Sequence, residues 1–133
     1  MASNFSIRHA AHIEKHCGII SYPTDTIYGL GCEPYNRDAV ETIAHIKQRP
    51  VNKQFILLAS DIEQIRSLIR ISREQEDTIA QCTESTSWIV TASKNDPDWL
   101  IASDGTRTIR ITQNDQHQKL SSALGHAIIS TSA

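Results

Sequence analysis

Hydrophobic positions along the chain repeat with two periods, one helical and one extended. Ile7, Ala10, Ala11 and Ile13 share a helical face, so the spacing predicts a first helix over 6–16 with Ser6 as its N-cap. Residues 18–22 read as a short buried strand that Pro23 ends, because proline lacks a ladder donor. Asn36 is placed to cap a helix over 37–48, with Val40, Ile43, Ala44 and Ile46 apolar and Pro50 as its stop. Residues 55–59 form a continuous apolar run, the pattern of a strand buried on both faces. A helix capped by Asp61 and running through Ile65 and Leu68 follows, then another over 73–81. Strands are expected at 88–90, 108–111 and 127–130, with a helix over 115–124. Asp96-Pro97 and Asp104-Gly105 read as turns. Strands alternating with helices imply a layered α/β domain.

Composition narrows this picture only slightly. A chain of 133 residues, 39% hydrophobic and 21% charged, fits one ordinary globular domain. No apolar run approaches the roughly 20 residues that span a bilayer, and the first residues hold no apolar signal segment. A cytoplasmic address without a membrane partner is therefore expected. The net charge of −2 and pI near 6.3 argue against broad, non-specific nucleic-acid binding. Cys17, Cys32 and Cys82 lack metal-ligand spacing and read as reduced, structural thiols. His9, His12 and His16 fall on one helical face, but no cysteine or carboxylate cluster completes a zinc site, so no metal site is expected. Trp88 and Trp99 read as core residues.

Three segments carry candidate chemistry. Lys47, Arg49 and Lys53 place three cations within seven residues around Pro50. Lysine offers a compact charge and arginine a planar fork, a combination suited to polyphosphate. The same residues also suit the negative end of a helix, and spacing alone leaves both readings open. Tyr22-Pro23-Thr24-Asp25-Thr26 puts hydroxyls directly after a strand, where open α/β sheets bind ligands, or forms an ordinary turn. Ser130-Thr131-Ser132-Ala133 follows a buried strand, and its small hydroxyl residues suit approach to phosphate or ribose, or form a frayed end.

Taken together, these segments resemble the YrdC/TsaC family of threonylcarbamoyl-adenylate synthases. The family pattern of Y-P-T-[DE]-T, Y-G-L-G, K-x-R-P with a following lysine, an arginine-bearing strand and S-T-S-A-N stands here, in order. Its parts are Tyr22 to Thr26, Tyr28-Gly29-Leu30-Gly31, Lys47-Gln48-Arg49-Pro50 with Lys53, Thr108-Ile109-Arg110-Ile111, and Ser130 to Ala133. The resemblance implies a three-layer α/β fold, a twisted mixed sheet flanked by helices around an open anion-binding cleft. It implies that Lys47 and Arg49 are the catalytic pair on the ATP phosphates, with Ser87 and Ser132 also on the nucleotide. Thr24, Arg110 and Ser130 would hold threonine, Arg110 by its carboxylate. The substrates would be L-threonine, bicarbonate and ATP, with Mg²⁺ bound mainly through the phosphates, and the product would pass to downstream threonylcarbamoyl-transfer proteins acting on tRNA.

The chain departs from the pattern in three places. Thr83-Glu84-Ser85-Thr86-Ser87 stands where the family carries P-G-P-x-T, and Gln54 where many members have proline or glycine. The family continues with asparagine after the position of Ala133, so residues 1–133 are expected to be one YrdC-like domain, incomplete at the C-terminus. Two other readings stay open: a non-catalytic module for tRNA or double-stranded RNA, with Arg66, Arg70 and Arg73 as a local basic patch, and an inactive, truncated homologue.

Overall fold

A computed structural model describes residues 4–15, 18–23, 28–48, 55–84, 86–94 and 104–132. Its helices are α1 (Asn4–Lys15), α2 (Arg37–Ile46), α3 (Arg73–Gln81) and α4 (Asp115–Leu124). The strands are β1 (Ile20–Pro23), β2 (Tyr28–Cys32), β3 (Ile56–Ala59), β4 (Ile69–Arg70), β5 (Ser87–Ala92), β6 (Thr106–Ile111) and β7 (Ile128–Ser132). They form one open, mixed, seven-stranded sheet in the order β1-β2-β7-β3-β6-β5-β4, in which β3 and β6 are parallel and the other pairs antiparallel.

The alternation of side chains along each strand divides the interior into two cores. Ile20, Tyr22, Leu58 and Ile128 pack on one face with Ile7 and Ala11 of α1 and Leu120 and Leu124 of α4. Cys32, Leu57, Ala59, Ile109 and Ile129 pack on the other with Ala39, Val40, Ile43 and Ala44 of α2 and Ile79 of α3. Leu57 and Leu58, adjacent in sequence, thus serve opposite cores, as expected of a central strand buried on both sides. Helices on both faces of the sheet make the expected three layers.

Local chemistry sets most boundaries. Asn36 accepts a hydrogen bond from the Ala39 amide at 2.9 Å and starts α2. Ser72 and Gln75 form a reciprocal capping box at α3, and Asn114 accepts from the His117 amide at α4. Gly125, at φ 77°, closes α4 in the left-handed conformation that glycine tolerates.

Several expectations are corrected. α1 begins at Asn4, so Ser6 lies within the first turn and is not its cap. α2 ends at Ile46, which is 54% exposed rather than packed. Its end coincides with Gln48 at φ 52°, two residues before Pro50, which lies outside the described residues. The segment after Asp61 is two 3-10 turns, Ile62–Gln64 and Arg66–Leu68, and not an α-helix. Ile62, Ile65 and Leu68 recur every three residues, the period of the tighter helix. β1 is an edge strand buried on one side, with Ile20 and Tyr22 inside and Ser21 exposed, and Pro23 still belongs to it. β7 is an interior strand, so residues up to Ser132 are paired rather than frayed. Strands β2 and β4 were not expected. β4 is only two residues long, and β2 is disguised by its glycines. Asp96-Pro97, Trp99, Cys17 and His16 lie outside the described residues, whereas Trp88 packs against the second core.

Candidate active site

The site is built on the sheet face that carries α1 and α4 at one end. Ser87 of β5 pairs with Arg110 of β6, Arg110 with Leu58 of β3, and Leu58 with Ile128 of β7. Directly paired residues share a face, and so do residues two apart on one strand. Ser130 therefore follows Ile128 along the same face as Ser87 and Arg110. Strands lie about 4.8 Å apart, which sets Arg110 roughly 10 Å across the sheet from β7.

Arg110 is held at its base. Its Nε and Nη2 donate to Ser87 Oγ at 3.1 and 2.8 Å. The structure thus brings Ser87, which the resemblance puts on the nucleotide, to Arg110, which it puts on threonine. Ser130, only 8% exposed, accepts a hydrogen bond from the Tyr22 hydroxyl at 2.5 Å. Burial pushes the Tyr22 phenol well above its ordinary value near 10, against a smaller opposing effect of the bond to Ser130. Ser132 pairs with Gly29.

Lys47 is the C-cap of α2, its amide donating to the Ile43 carbonyl at 2.9 Å while the next amide, of Gln48, donates to the His45 carbonyl at 3.1 Å. It stands upstream of β3, whose first residue, Ile56, pairs with Ser130. Thr24 and Arg49 lie outside the described residues. Among the described residues no three His, Cys, Asp or Glu side chains converge as metal ligands. His9 and His12 are exposed, and His9 stacks on Phe5.

The suggested basic patch is partly neutralised. Arg66 donates to both carboxylate oxygens of Glu76 and to Glu63, which holds both carboxyls below their ordinary value. What sequence reasoning missed is the role of the Tyr22 side chain. Its signal was the pair of glycines, Gly29 and Gly31, two apart and therefore on one face of the next strand.

The arrangement is an open, three-layer α/β domain with the hydroxyls of Ser87 and Ser130 and the Arg110 guanidinium on one sheet face, equipment suited to a small ligand. Residues 13–133 match the Sua5/YciO/YrdC family, described as telomere recombination, and the chain belongs to that family. The threonylcarbamoyl-AMP synthase of Hydrogenovibrio crunogenus is 35% identical over 133 residues, covering 96% of this chain and 72% of that protein. That of Halorhodospira halophila is 37% identical over 131 residues, 97% of this chain and 69% of its own. Among solved structures, Escherichia coli YciO superposes with a TM-score of 0.86 at 27% identity, covering 98% of this chain and 65% of that one. P. abyssi Sua5 complexed with L-threonine gives a TM-score of 0.88 at 22% identity, over 98% of this chain and 39% of that one, and shares the fold. This chain therefore spans well under half of Sua5. No helix among the described residues is long and apolar enough to cross a membrane.

Proposed function

We propose that this protein is an ATP-dependent threonylcarbamoyl-AMP synthase, consuming L-threonine, bicarbonate and ATP. The observation that carries the reading is the common sheet face of Ser87, Arg110 and Ser130, in a chain about 35% identical to synthases of that name. Arg110 is the partner of the threonine carboxylate, because a guanidinium already fixed through Nε and Nη2 keeps donors for a second, planar acceptor. Thr24 and Ser130 complete the amino-acid site. Lys47 and Arg49 hold the ATP phosphates, and Ser132 binds the nucleotide, with Ser87 between the two ligands.

In this reading the threonine amine attacks the carbon of bicarbonate-derived carbon dioxide and loses a proton, giving a carbamate. A carbamate oxygen then forms a bond to the α-phosphorus, the bond to the β-phosphate bridging oxygen breaks, and pyrophosphate leaves with that electron pair. The protein's task is to align two anions and to offset the charge that develops on the phosphates. Magnesium enters as part of the substrate, on phosphate oxygens. The cytoplasm is the expected site, in keeping with Cys32 and Cys82 being thiols outside any disulfide. The fold unit is the YrdC-like domain, and the product serves tRNA modification through separate transfer proteins.

The test is pyrophosphate release from ATP, Mg²⁺ and bicarbonate, with and without L-threonine. Release that requires threonine, and that a Lys47→Ala/Arg49→Ala double variant loses by at least about 100-fold, is expected when two phosphate-binding cations go. Absence of release from the folded chain would reject the reading.

A further inference from the structure

Tyr22 is built into the sheet in an unusual way. It sits on edge strand β1 opposite Gly29, yet its hydroxyl reaches past β2 to Ser130 on β7. The crossing needs the glycines. A Cβ on Gly31 would stand 2.6 Å from Tyr22 Cε1, and one on Gly29 3.2 Å from the hydroxyl end of the ring. His117 of α4 also packs on the ring, with centroids 5.5 Å apart and planes tilted by 47°. The ring is not wedged on every side, because a cavity of about 140 Å³ opens beside it between α1 and α4, lined by Ile7, Ala10, His117 and Leu120. Packing alone therefore does not fix the hydroxyl, and the bond to Ser130 does.

The direction of that bond has a chemical consequence. A buried phenol kept protonated is a permanent donor, so Ser130 Oγ is occupied as an acceptor. The serine's own proton is then left to donate elsewhere. We propose that Tyr22 is a positioning residue of the amino-acid site, holding Ser130 as a hydrogen-bond donor towards an oxygen of the threonine substrate. The inference rests on the synthase reading, which places Ser130 on threonine. It adds a residue that touches no substrate and acts through the serine.

The test compares KM for L-threonine and KM for ATP in wild type, Tyr22→Phe, Ser130→Ala and the double variant, with thermal melting of each. Phenylalanine keeps the ring over Gly29 and Gly31 and removes only the donor. Tyr22→Phe is expected to raise KM for threonine about 3- to 10-fold, the effect of one neutral hydrogen bond, while KM for ATP stays within about twofold. The double variant should be little worse than Ser130→Ala, since both act on one contact. A threonine KM unchanged in Tyr22→Phe, or both KM values rising together, would overturn the inference while wild-type turnover leaves the synthase reading intact. Wild type without threonine-dependent turnover would reject both. Should Tyr22→Phe melt below the assay temperature, Ser130→Ala decides: a threonine KM at the wild-type level overturns the inference.

Discussion

At Gly31 an added Cβ would meet Tyr22 Cε1 at 2.6 Å and the Ile129 carbonyl oxygen at 3.0 Å, so the ring must turn towards its neighbouring cavity, giving up the bond to Ser130, or strain against the new methyl, and the β7 backbone must give as well. Gly31→Ala is expected to cost about 1–3 kcal/mol of stability by overpacking, read as a lower denaturation midpoint at unchanged slope. Stability equal to wild type would show that the ring swings freely into its neighbouring cavity. This position also shows what the sequence disclosed. The motif Tyr28-Gly29-Leu30-Gly31 was legible as part of a family pattern, but its glycines weakened the strand signal and hid β2. Their purpose depends on a ring from another strand, which no local pattern reveals. Lys47, Arg110, Ser130 and Ser132 stood out as candidates because their motifs are short and contiguous, and their roles are part of the proposed function. The pairing of Ser87 with Arg110 was not, because it arises from the register of β5 on β6.

Among the elements, α3 was read to the residue because its signals are local: a Ser72–Gln75 capping box and a strongly polar helix beyond it. The 3-10 segment was misread, although its three-residue apolar repeat was present, because a cap and three apolar residues fit either helix type. These two elements are joined by Arg66, whose fork grips Glu76 of α3 while its Nε and Nη2 also reach Glu63. Both carboxyls are held below their ordinary value of 4.5, first by hydrogen bonding to Arg66. Groups depressed in the folded state stabilise it above the unfolded value and lose that contribution as pH falls through the folded one. Arg66→Ala should therefore be slightly less stable than wild type near neutral pH, by the small amount expected of exposed pairs, and the gap should close as pH falls below the ordinary carboxyl value of 4.5 and through the lowered ones. Denaturation at a series of pH values checks this, and a gap that persists in acid would assign it to packing instead.

For the molecule as a whole, the fold class was legible because alternation of strands and helices constrains a chain of this length to layers around one sheet. The strand order was not, since β7 inserts between β2 and β3 and so places Ser130 beside both Gly31 and Ile56. That insertion brings Ser130 onto the face that Arg110 and Ser87 occupy, and so gathers the candidate site from segments far apart in sequence. The most direct test is to supply the purified chain with ATP, Mg²⁺, L-threonine and carbon-13 bicarbonate and to weigh the nucleotide products by mass spectrometry. The expected product is an adenylate that contains threonine and one labelled carbon, formed in step with pyrophosphate and absent without threonine. Folded protein that consumes no ATP, or that yields an adenylate without the labelled carbon, would contradict the synthase reading.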